Sequence, residues 1–100
     1  MNSKRRVVVT GVGAVTPLGT GVQKAWPMLL NGESGVGYIT KFDASNFGTR
    51  IAAELKDFDP TDFMEKKRAR RTDPFIHYAL AATSMAMEDS RLVVNEHNAP

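Results

Sequence analysis

Cysteine is absent from the 100 residues of this chain, and histidine occurs only at His77 and His97. Without cysteine, the chain forms no disulfide, thiolate nucleophile or cysteine-based metal site. Neither histidine has a second ligand at helical spacing, so nothing supports a metal site, and we interpret His77 as a structural residue. No Ser-His-Asp arrangement and no pair of carboxylates suited to acid/base work stands out. The residues themselves therefore indicate no catalytic group and no metal.

Long apolar runs are also missing from the sequence. No stretch approaches the roughly 18 residues that a membrane span requires. The apolar segment between Arg6 and Gly11 is too short for the hydrophobic region of a secretory signal. We therefore expect a cytoplasmic protein with no membrane partner. The composition, with 42% hydrophobic and 24% charged residues, is that of a globular protein of one small domain.

A run of β-branched residues at positions 7–10 precedes a turn that contains Gly11 and Gly13. This run is apolar on both alternating faces, which predicts a strand buried on both sides in an α/β protein. The two glycines resemble the start of a dinucleotide-binding fingerprint, but Thr16 stands where that motif needs its third glycine. We favour a tight turn after the strand over nucleotide binding.

Turn and cap residues predict the next elements along the chain. Thr20 has the character of an N-cap for a helix that ends at Asn31-Gly32. Pro27 lies inside this helix, where its ring predicts either a kink or an end to the helix before it. A second strand is expected at residues 51–55, and residues 59–62 form a turn that could begin a short helix.

The longest predicted helix runs from Pro74 to about Asp89, with Asp73 at its N-cap. It is apolar around most of its circumference, which is typical of a helix buried in a large protein. Small residues such as Ala82 and Ala86 favour close approach of a second helix. Because 100 residues offer few elements to cover this helix, we expect the chain to be a piece of a larger protein or to depend on a partner.

Five cations occur within six residues, namely Lys66, Lys67, Arg68, Arg70 and Arg71. The formal net charge of the chain is only +2, so the positive charge is local. Three interpretations remain open: a solvated face, a nucleic-acid site that contacts phosphates, or a docking site for an acidic protein or a phosphorylated cofactor arm. Few aromatic residues flank the cluster, so support for base stacking is weak.

Blocks along nearly the whole chain resemble the N-terminus of the β-ketoacyl-acyl-carrier-protein synthases, the condensing enzymes of fatty-acid synthesis, and most closely the synthase II branch. The blocks are RRVVVTG at 5–11, TPLG at 16–19, GESGVG at 32–37, ITKFD at 39–43 and AAELKDF at 52–58, followed by the paired cations. The resemblance implies a thiolase-like fold with layers in the order α/β/α/β/α. Residues 1–100 would form the N-terminal portion of its N-terminal domain, without an internal boundary.

The resemblance also implies an acyltransferase that condenses an acyl thioester with malonyl carrier protein by a decarboxylative Claisen reaction, as a homodimer without a cofactor. In this family the catalytic cysteine, histidines and lysine lie beyond the matched region, so we expect no catalytic residue in this chain and no activity from the chain alone. The implied partner is the acyl carrier protein with its phosphopantetheine arm, and nucleic acid is not expected as a partner. The positions that match the family's docking cations are Lys66, Lys67, Arg70 and Arg71, whereas Arg68 matches less well.

Two alternatives to this function remain. The first is a portion of a polyketide-type ketosynthase, which would share the fold and the chemistry. The second is a non-enzymatic basic adaptor that binds an acidic protein or nucleic acid.

Overall fold

The computed structural model describes residues 4–100, so expectations about the first three residues lie outside it. The described chain forms three α-helices, one 3₁₀ helix and two antiparallel hairpins of two strands each. In chain order these elements are β1 (Val15–Thr16), β2 (Gly19–Thr20), α1 (Val22–Leu30), β3 (Gly37–Tyr38), β4 (Ile51–Ala52), the 3₁₀ helix (Pro60–Asp62), α2 (Lys66–Arg71) and α3 (Pro74–Ser90). None of the helices within this part of the chain is long and apolar enough to cross a bilayer.

The chain is elongated and leaves most of its apolar side chains exposed. Its radius of gyration is 17.9 Å, whereas a compact domain of this length has a value of about 13 Å. Its accessible surface is 8519 Å², against roughly 5,600 Å² for a folded monomer of this mass. Among the described residues, the buried apolar side chains are those of two alanines, Ala44 and Ala81. The folded elements therefore carry apolar faces that residues 4–100 do not cover.

The prediction of a buried strand at residues 7–10 is wrong for this structure. These residues form no strand, and Val7 and Val9 are 87% and 82% exposed. A strand requires a neighbouring backbone to satisfy its N–H and C=O groups. Within residues 4–100 no segment pairs with residues 7–10. The first strand is instead β1, which pairs with β2 around a two-residue turn.

Helix α1 begins one residue later than predicted. Thr20 belongs to β2, where it pairs with Val15, and its side chain makes no capping hydrogen bond to α1. The N-cap is Gly21, whose φ of 96° lies in the region that favours glycine. The prediction of a threonine cap is therefore wrong because Thr20 belongs to the hairpin. The predicted end at Asn31 is confirmed, and Gly32 follows with a φ of 73°.

Pro27 lies inside α1 and does not end it. The helix continues for three residues past the proline, to Leu30. The carbonyl of Pro27 still accepts a hydrogen bond from the backbone N–H of Asn31 at 3.0 Å. Because proline lacks only its own donor, the acceptors after it remain usable and the last turn closes.

The predicted second strand is present but is shorter than expected. Strand β4 covers Ile51–Ala52 and pairs with β3. Beyond this pair, the Glu54 carboxylate accepts hydrogen bonds from the backbone N–H groups of Thr40 and Lys41, at 3.0 and 3.2 Å. It also accepts one from the Thr40 hydroxyl at 3.0 Å. A side chain thus replaces the backbone ladder, which explains why the strand ends early.

Helix α3 has the predicted position, with Asp73 before it and Pro74 in its first turn. It ends at Ser90, and Arg91 follows in the left-handed conformation, with a φ of 57°. The prediction that α3 is buried holds only for Ala81 among its residues. Phe75, for example, is 69% exposed. Too few elements of the described chain pack on α3 to enclose it.

The small residues of α3 are covered by a backbone turn and not by a second helix. A Cβ added to Gly13 would overlap the carbonyl oxygen of Ala82 and lie 2.9 Å from the backbone nitrogen of Ala86. The absence of side chains at Gly13 therefore lets the main chain rest directly on the alanines. The expected helix–helix contact at Ala82 and Ala86 is replaced by this contact of main chain on helix.

The turn that contains Gly11 and Gly13 also contacts the C-terminal end of α3. A Cβ on Gly11 would lie 2.6 Å from the backbone nitrogen of Ser90, so Gly11 also permits close approach. Between the two glycines, the backbone N–H of Val12 donates to a carboxylate oxygen of Asp89 at 2.9 Å. The glycines that resembled a nucleotide-binding turn thus serve the contact with α3.

We expect the substitution Gly13→Ala to destabilise the full-length protein by about 1–3 kcal/mol, since the added methyl group forces the turn away from α3. Gly48→Ala is the matched control, because a Cβ at Gly48 meets no atom within 4 Å. Thermal unfolding of both variants checks this expectation. Equal melting temperatures for the two variants would show that the contact of the turn with α3 is not tight.

We expect the hydrogen bonds that the Glu54 carboxylate accepts from the backbone of Thr40 and Lys41 to weaken in acid. The backbone N–H of Thr40 is the main cause that lowers the pKa of Glu54 below its ordinary value of 4.5. A group whose pKa is lowered by folding contributes stability above its unfolded pKa, and this contribution is lost as the pH falls through the folded value. An NMR titration of the Glu54 carboxyl carbon should give a midpoint below 4.5, accompanied by loss of exchange protection at the Thr40 amide. A midpoint at or above 4.5 would contradict the assigned hydrogen bonds.

Candidate functional site

The basic cluster forms helix α2, and its cations all face solvent. The side chains of Lys66, Lys67, Arg68, Arg70 and Arg71 are exposed, whereas Ala69 is half-buried. Within residues 4–100, none of the five cations lies within 4.0 Å of a carboxylate oxygen. The cluster is therefore a short helix of unneutralised positive charge.

The helical geometry places four of these cations on one side of α2 and the fifth, Arg68, on another. At 3.6 residues per turn, the four positions 66, 67, 70 and 71 fall within an arc of about 140°. Arg68 lies about 60° beyond that arc, and it lines a groove against α3 together with Leu80. The four positions predicted for docking are thus brought together on one face of α2, and Arg68 is directed elsewhere.

Helix α2 has little stability of its own. It is six residues long, whereas isolated helices shorter than about 12–15 residues are marginal in water. Like charges four residues apart, such as Lys66 with Arg70, each cost about 0.2–0.5 kcal/mol. The cations in the last turn interact favourably with the helix dipole, but this effect is of similar size. External contacts must therefore hold the helix in place.

The segment before α2 is fixed by a cap on the 3₁₀ helix, which confirms the predicted turn at residues 59–62. The carboxylate of Asp59 accepts hydrogen bonds from the backbone N–H and the hydroxyl of Thr61, at 2.9 and 2.6 Å. The bond from the Thr61 side chain is the main cause that lowers the pKa of Asp59 below its ordinary value of 3.8. Asp59 is thus ionised at neutral pH and holds the chain that leads into the site.

The C-terminal end of α2 is held by two polar side chains. The hydroxyl of Thr72 donates to the carbonyl oxygen of Arg68 at 2.8 Å. The Nε2 atom of His77, on α3, lies 2.9 Å from the carbonyl oxygen of Ala69 and 3.0 Å from the Thr72 hydroxyl. These bonds satisfy two of the carbonyls that a helix leaves unpaired at its end. His77 is thus half-buried with hydrogen-bond partners in the described chain, as expected for a structural histidine.

An aromatic cluster joins the same region to α3. The ring of Phe58 meets Tyr78 edge to face, with centroids 5.2 Å apart, and stacks on Phe63 at 5.9 Å. Lys41 completes the cluster, with its Nζ atom 3.3 Å from the Tyr78 hydroxyl. The cluster fixes the position of the 3₁₀ segment relative to α3, and hence the place where α2 begins.

Two grooves lie on the surface of the described residues. The larger, with a volume of about 690 Å³, lies between α1 and the C-terminal half of α3. The smaller, of about 570 Å³, lies beside α2. The larger is lined mainly by apolar residues together with Glu88 and Asp89, whereas the smaller has Glu65 and Arg68 beside apolar and hydroxyl side chains. The described residues contain no group of three or more His, Cys, Asp or Glu side chains that could hold a metal ion. The candidate site that the described residues offer is therefore the charged surface of α2.

Comparison with known proteins identifies the family. Residues 4–99 match the domain described as "Beta-ketoacyl synthase, N-terminal domain". The chain belongs to the β-ketoacyl synthase family. This result confirms the resemblance in the sequence blocks and argues against an unrelated basic adaptor.

Similar proteins in this family include three named 3-oxoacyl-[acyl-carrier-protein] synthase 2. Those of Coxiella burnetii and Vibrio harveyi are 54% and 53% identical to this chain over 97% of its length. That of Synechocystis is 50% identical over 96%. The chain spans 23% of the length of each of these three relatives.

A solved member of the family has the same structure over this region. The protein described as "The ishigamide ketosynthase/chain length factor" superposes with a TM-score of 0.82 at 37% identity, covering 91% of this chain and 23% of its own. The expected thiolase-like fold is therefore confirmed, and residues 4–100 have the structure of the N-terminal part of a ketosynthase domain.

Sequence reasoning located the cations of α2 but missed the side chains that hold them. Thr72 follows the last cation directly, where a hydroxyl could have been recognised as a cap for the helix end. His77 lies eight residues after Ala69 and on another helix. No local pattern connects these two positions, so only the tertiary structure brings them together.

We expect Phe58→Ala to lower the stability of the full-length protein by about 2 kcal/mol, because the half-buried ring loses both aromatic partners. Phe58→Tyr keeps the ring and is the matched control, expected to unfold close to the original protein. Chemical denaturation of both variants measures the difference. An alanine variant as stable as the tyrosine variant would show that the cluster does not hold the 3₁₀ segment.

Proposed function

We propose that this chain is the N-terminal portion of a 3-oxoacyl-[acyl-carrier-protein] synthase of type 2. The complete enzyme would condense an acyl thioester with malonyl carrier protein, with loss of carbon dioxide, in fatty-acid elongation. The identity of 50–54% with three synthases of that name, over nearly the whole chain, carries this proposal. Residues 1–100 would form one part of the N-terminal domain without an internal boundary, and the catalytic groups would lie in the remainder.

The described residues would contribute a docking surface for the acyl carrier protein. The relatives' name specifies a carrier-protein substrate, and the family resemblance implies that this carrier is acidic. Helix α2 offers Lys66, Lys67, Arg70 and Arg71 on one exposed arc. Charges of this kind steer association and contribute more to the rate of encounter than to chemistry. The phosphate of the phosphopantetheine arm would be a further anion for the same surface.

The complete synthase would act in the cytoplasm as a homodimer, without a cofactor and without a nucleic-acid or membrane partner. The absence of cysteine from this chain is compatible with a reducing compartment. The cations of α2 are not interleaved with aromatic side chains on which bases could stack, which favours a protein partner over nucleic acid.

A polyketide-type ketosynthase is the second candidate. The structural likeness to "The ishigamide ketosynthase/chain length factor" favours it, at 37% identity. The higher identity to the synthases of type 2 favours fatty-acid elongation. Condensation assays of the full-length enzyme with fatty-acid carrier protein and with polyketide carrier protein would distinguish the two.

We expect the triple variant Lys67→Glu, Arg70→Glu and Arg71→Glu of the full-length enzyme to have a KM for acyl carrier protein about 30-fold higher. Three exposed attractions, each worth about 0.2–1 kcal/mol, are replaced by repulsion, for a total of about 2 kcal/mol. The kcat at saturation should change little, because the reacting groups lie elsewhere. Steady-state kinetics at low ionic strength measure both constants, and added salt should reduce the difference.

The matched control reverses three other cations, Lys4→Glu, Arg5→Glu and Arg6→Glu, which are also exposed. It changes the net charge by the same amount and should leave KM nearly unchanged. If the α2 variant binds carrier protein as well as the original enzyme at low salt, the docking proposal is wrong.

A further inference from the structure

The position of helix α2 depends on hydrogen bonds that it receives from outside its own residues. Its N-cap, Glu65, makes no side-chain capping bond. At its other end, the carbonyls of Arg68 and Ala69 are occupied by Thr72 and His77. Of these two side chains, only His77 belongs to the long helix α3. His77 is therefore the polar link between the basic helix and the element that supports it.

The chemistry of the contact defines which form of the imidazole makes it. A backbone carbonyl only accepts hydrogen bonds, so Nε2 of His77 must carry the hydrogen that is donated to Ala69. The Thr72 hydroxyl uses its own hydrogen for Arg68 and can accept from the same Nε2–H. The imidazole, the hydroxyl and the two carbonyls form one connected network in which each hydrogen has an acceptor.

Ala69 is placed to receive this bond without disturbing the charged arc. It is the one uncharged residue of α2 and is half-buried. On an ideal helix its side chain lies about 160° from those of Lys67 and Arg71 and about 60° from that of Lys66. The bond from His77 is made to the backbone carbonyl of Ala69 and thus occupies none of the four cations.

We propose that His77 is a positioning residue for carrier-protein docking: its Nε2–H bond to Ala69 keeps α2 helical and keeps the arc of cations preorganised. This inference rests on the proposed function of α2 as a docking surface. Without the bond, a six-residue helix of like charges loses a main restraint and frays. Binding would then have to order the cations, which weakens association without altering the reaction.

Three variants of the full-length enzyme test this role. His77→Leu removes the donor, and His77→Gln keeps an N–H near the position of Nε2. Thr72→Val removes the hydroxyl that donates to the carbonyl of Arg68 and lies beside the Nε2 atom of His77. We expect amide hydrogens of α2 to exchange at least 10-fold faster in the leucine and valine variants. Amides of α3 should be unchanged, and the glutamine variant should retain most of the protection.

The kinetic readout separates positioning from general damage. We expect His77→Leu to raise KM for acyl carrier protein about 5-fold, with kcat and the KM for a small acyl thioester unchanged. His77→Gln should restore KM to within about 2-fold of the original. Should the leucine variant fail to fold, His77→Met removes the same donor with a more flexible side chain and provides the same comparison.

Each contrary outcome has a distinct meaning. Unchanged exchange in α2 for a folded His77→Leu variant overturns the anchoring role of His77, whatever Thr72→Val shows. Faster exchange with an unchanged KM, in an enzyme whose charge-reversal variant does raise KM, overturns the link between anchoring and docking. If the charge-reversal variant has no effect on KM, the docking function fails and this inference fails with it, whatever the exchange data show about α2.

Discussion

The main chain of residues 11–13 lies directly against helix α3 because neither surface carries a bulky side chain there. Gly11 and Gly13 face Ala82, Ala86 and Ser90, and any Cβ on either glycine would overlap the helix. This contact attaches the first part of the chain to its longest helix, and the hairpin of β1 and β2 follows within two residues of it. The placement of α1 at the end of that hairpin follows in turn.

The N-terminal half of α3 contacts the segments that position the charged surface of α2. Tyr78 packs against Phe58 in the aromatic cluster that precedes α2, and His77 contacts the carbonyl of Ala69 near the end of α2. Both side chains stand in the first turns of α3, so one rigid element sets where α2 begins and where it ends. The four cations of the proposed docking arc thus derive their arrangement from a helix that bears none of them. A six-residue helix needs such support, because its few hydrogen bonds do not offset the entropy lost in forming it, and the repulsion between its like charges adds a smaller cost.

The quality of the predictions varied with the range of the interactions involved. The limits of α3, the end of α1 and the capped turn at residues 59–62 follow from neighbouring residues, and these were predicted correctly. The strand at residues 7–10 and the cap at Thr20 were predicted wrongly, since pairing partners decide whether a segment is a strand or a cap. The early end of β4 was missed because a carboxylate, Glu54, replaces the ladder.

The order of short motifs along the chain was sufficient to establish the β-ketoacyl synthase family and to locate the cluster of cations, because both are properties of local sequence. The four docking positions were selected by the family resemblance, and only the structure shows that they share one face of a helix. The anchoring of that face by His77, and the use of Gly11 and Gly13 as a contact with α3, emerged from the tertiary structure alone. Both contacts join residues that the fold brings together from separate elements, and hydrogen bonds and close packing depend on distances in space that no local pattern specifies.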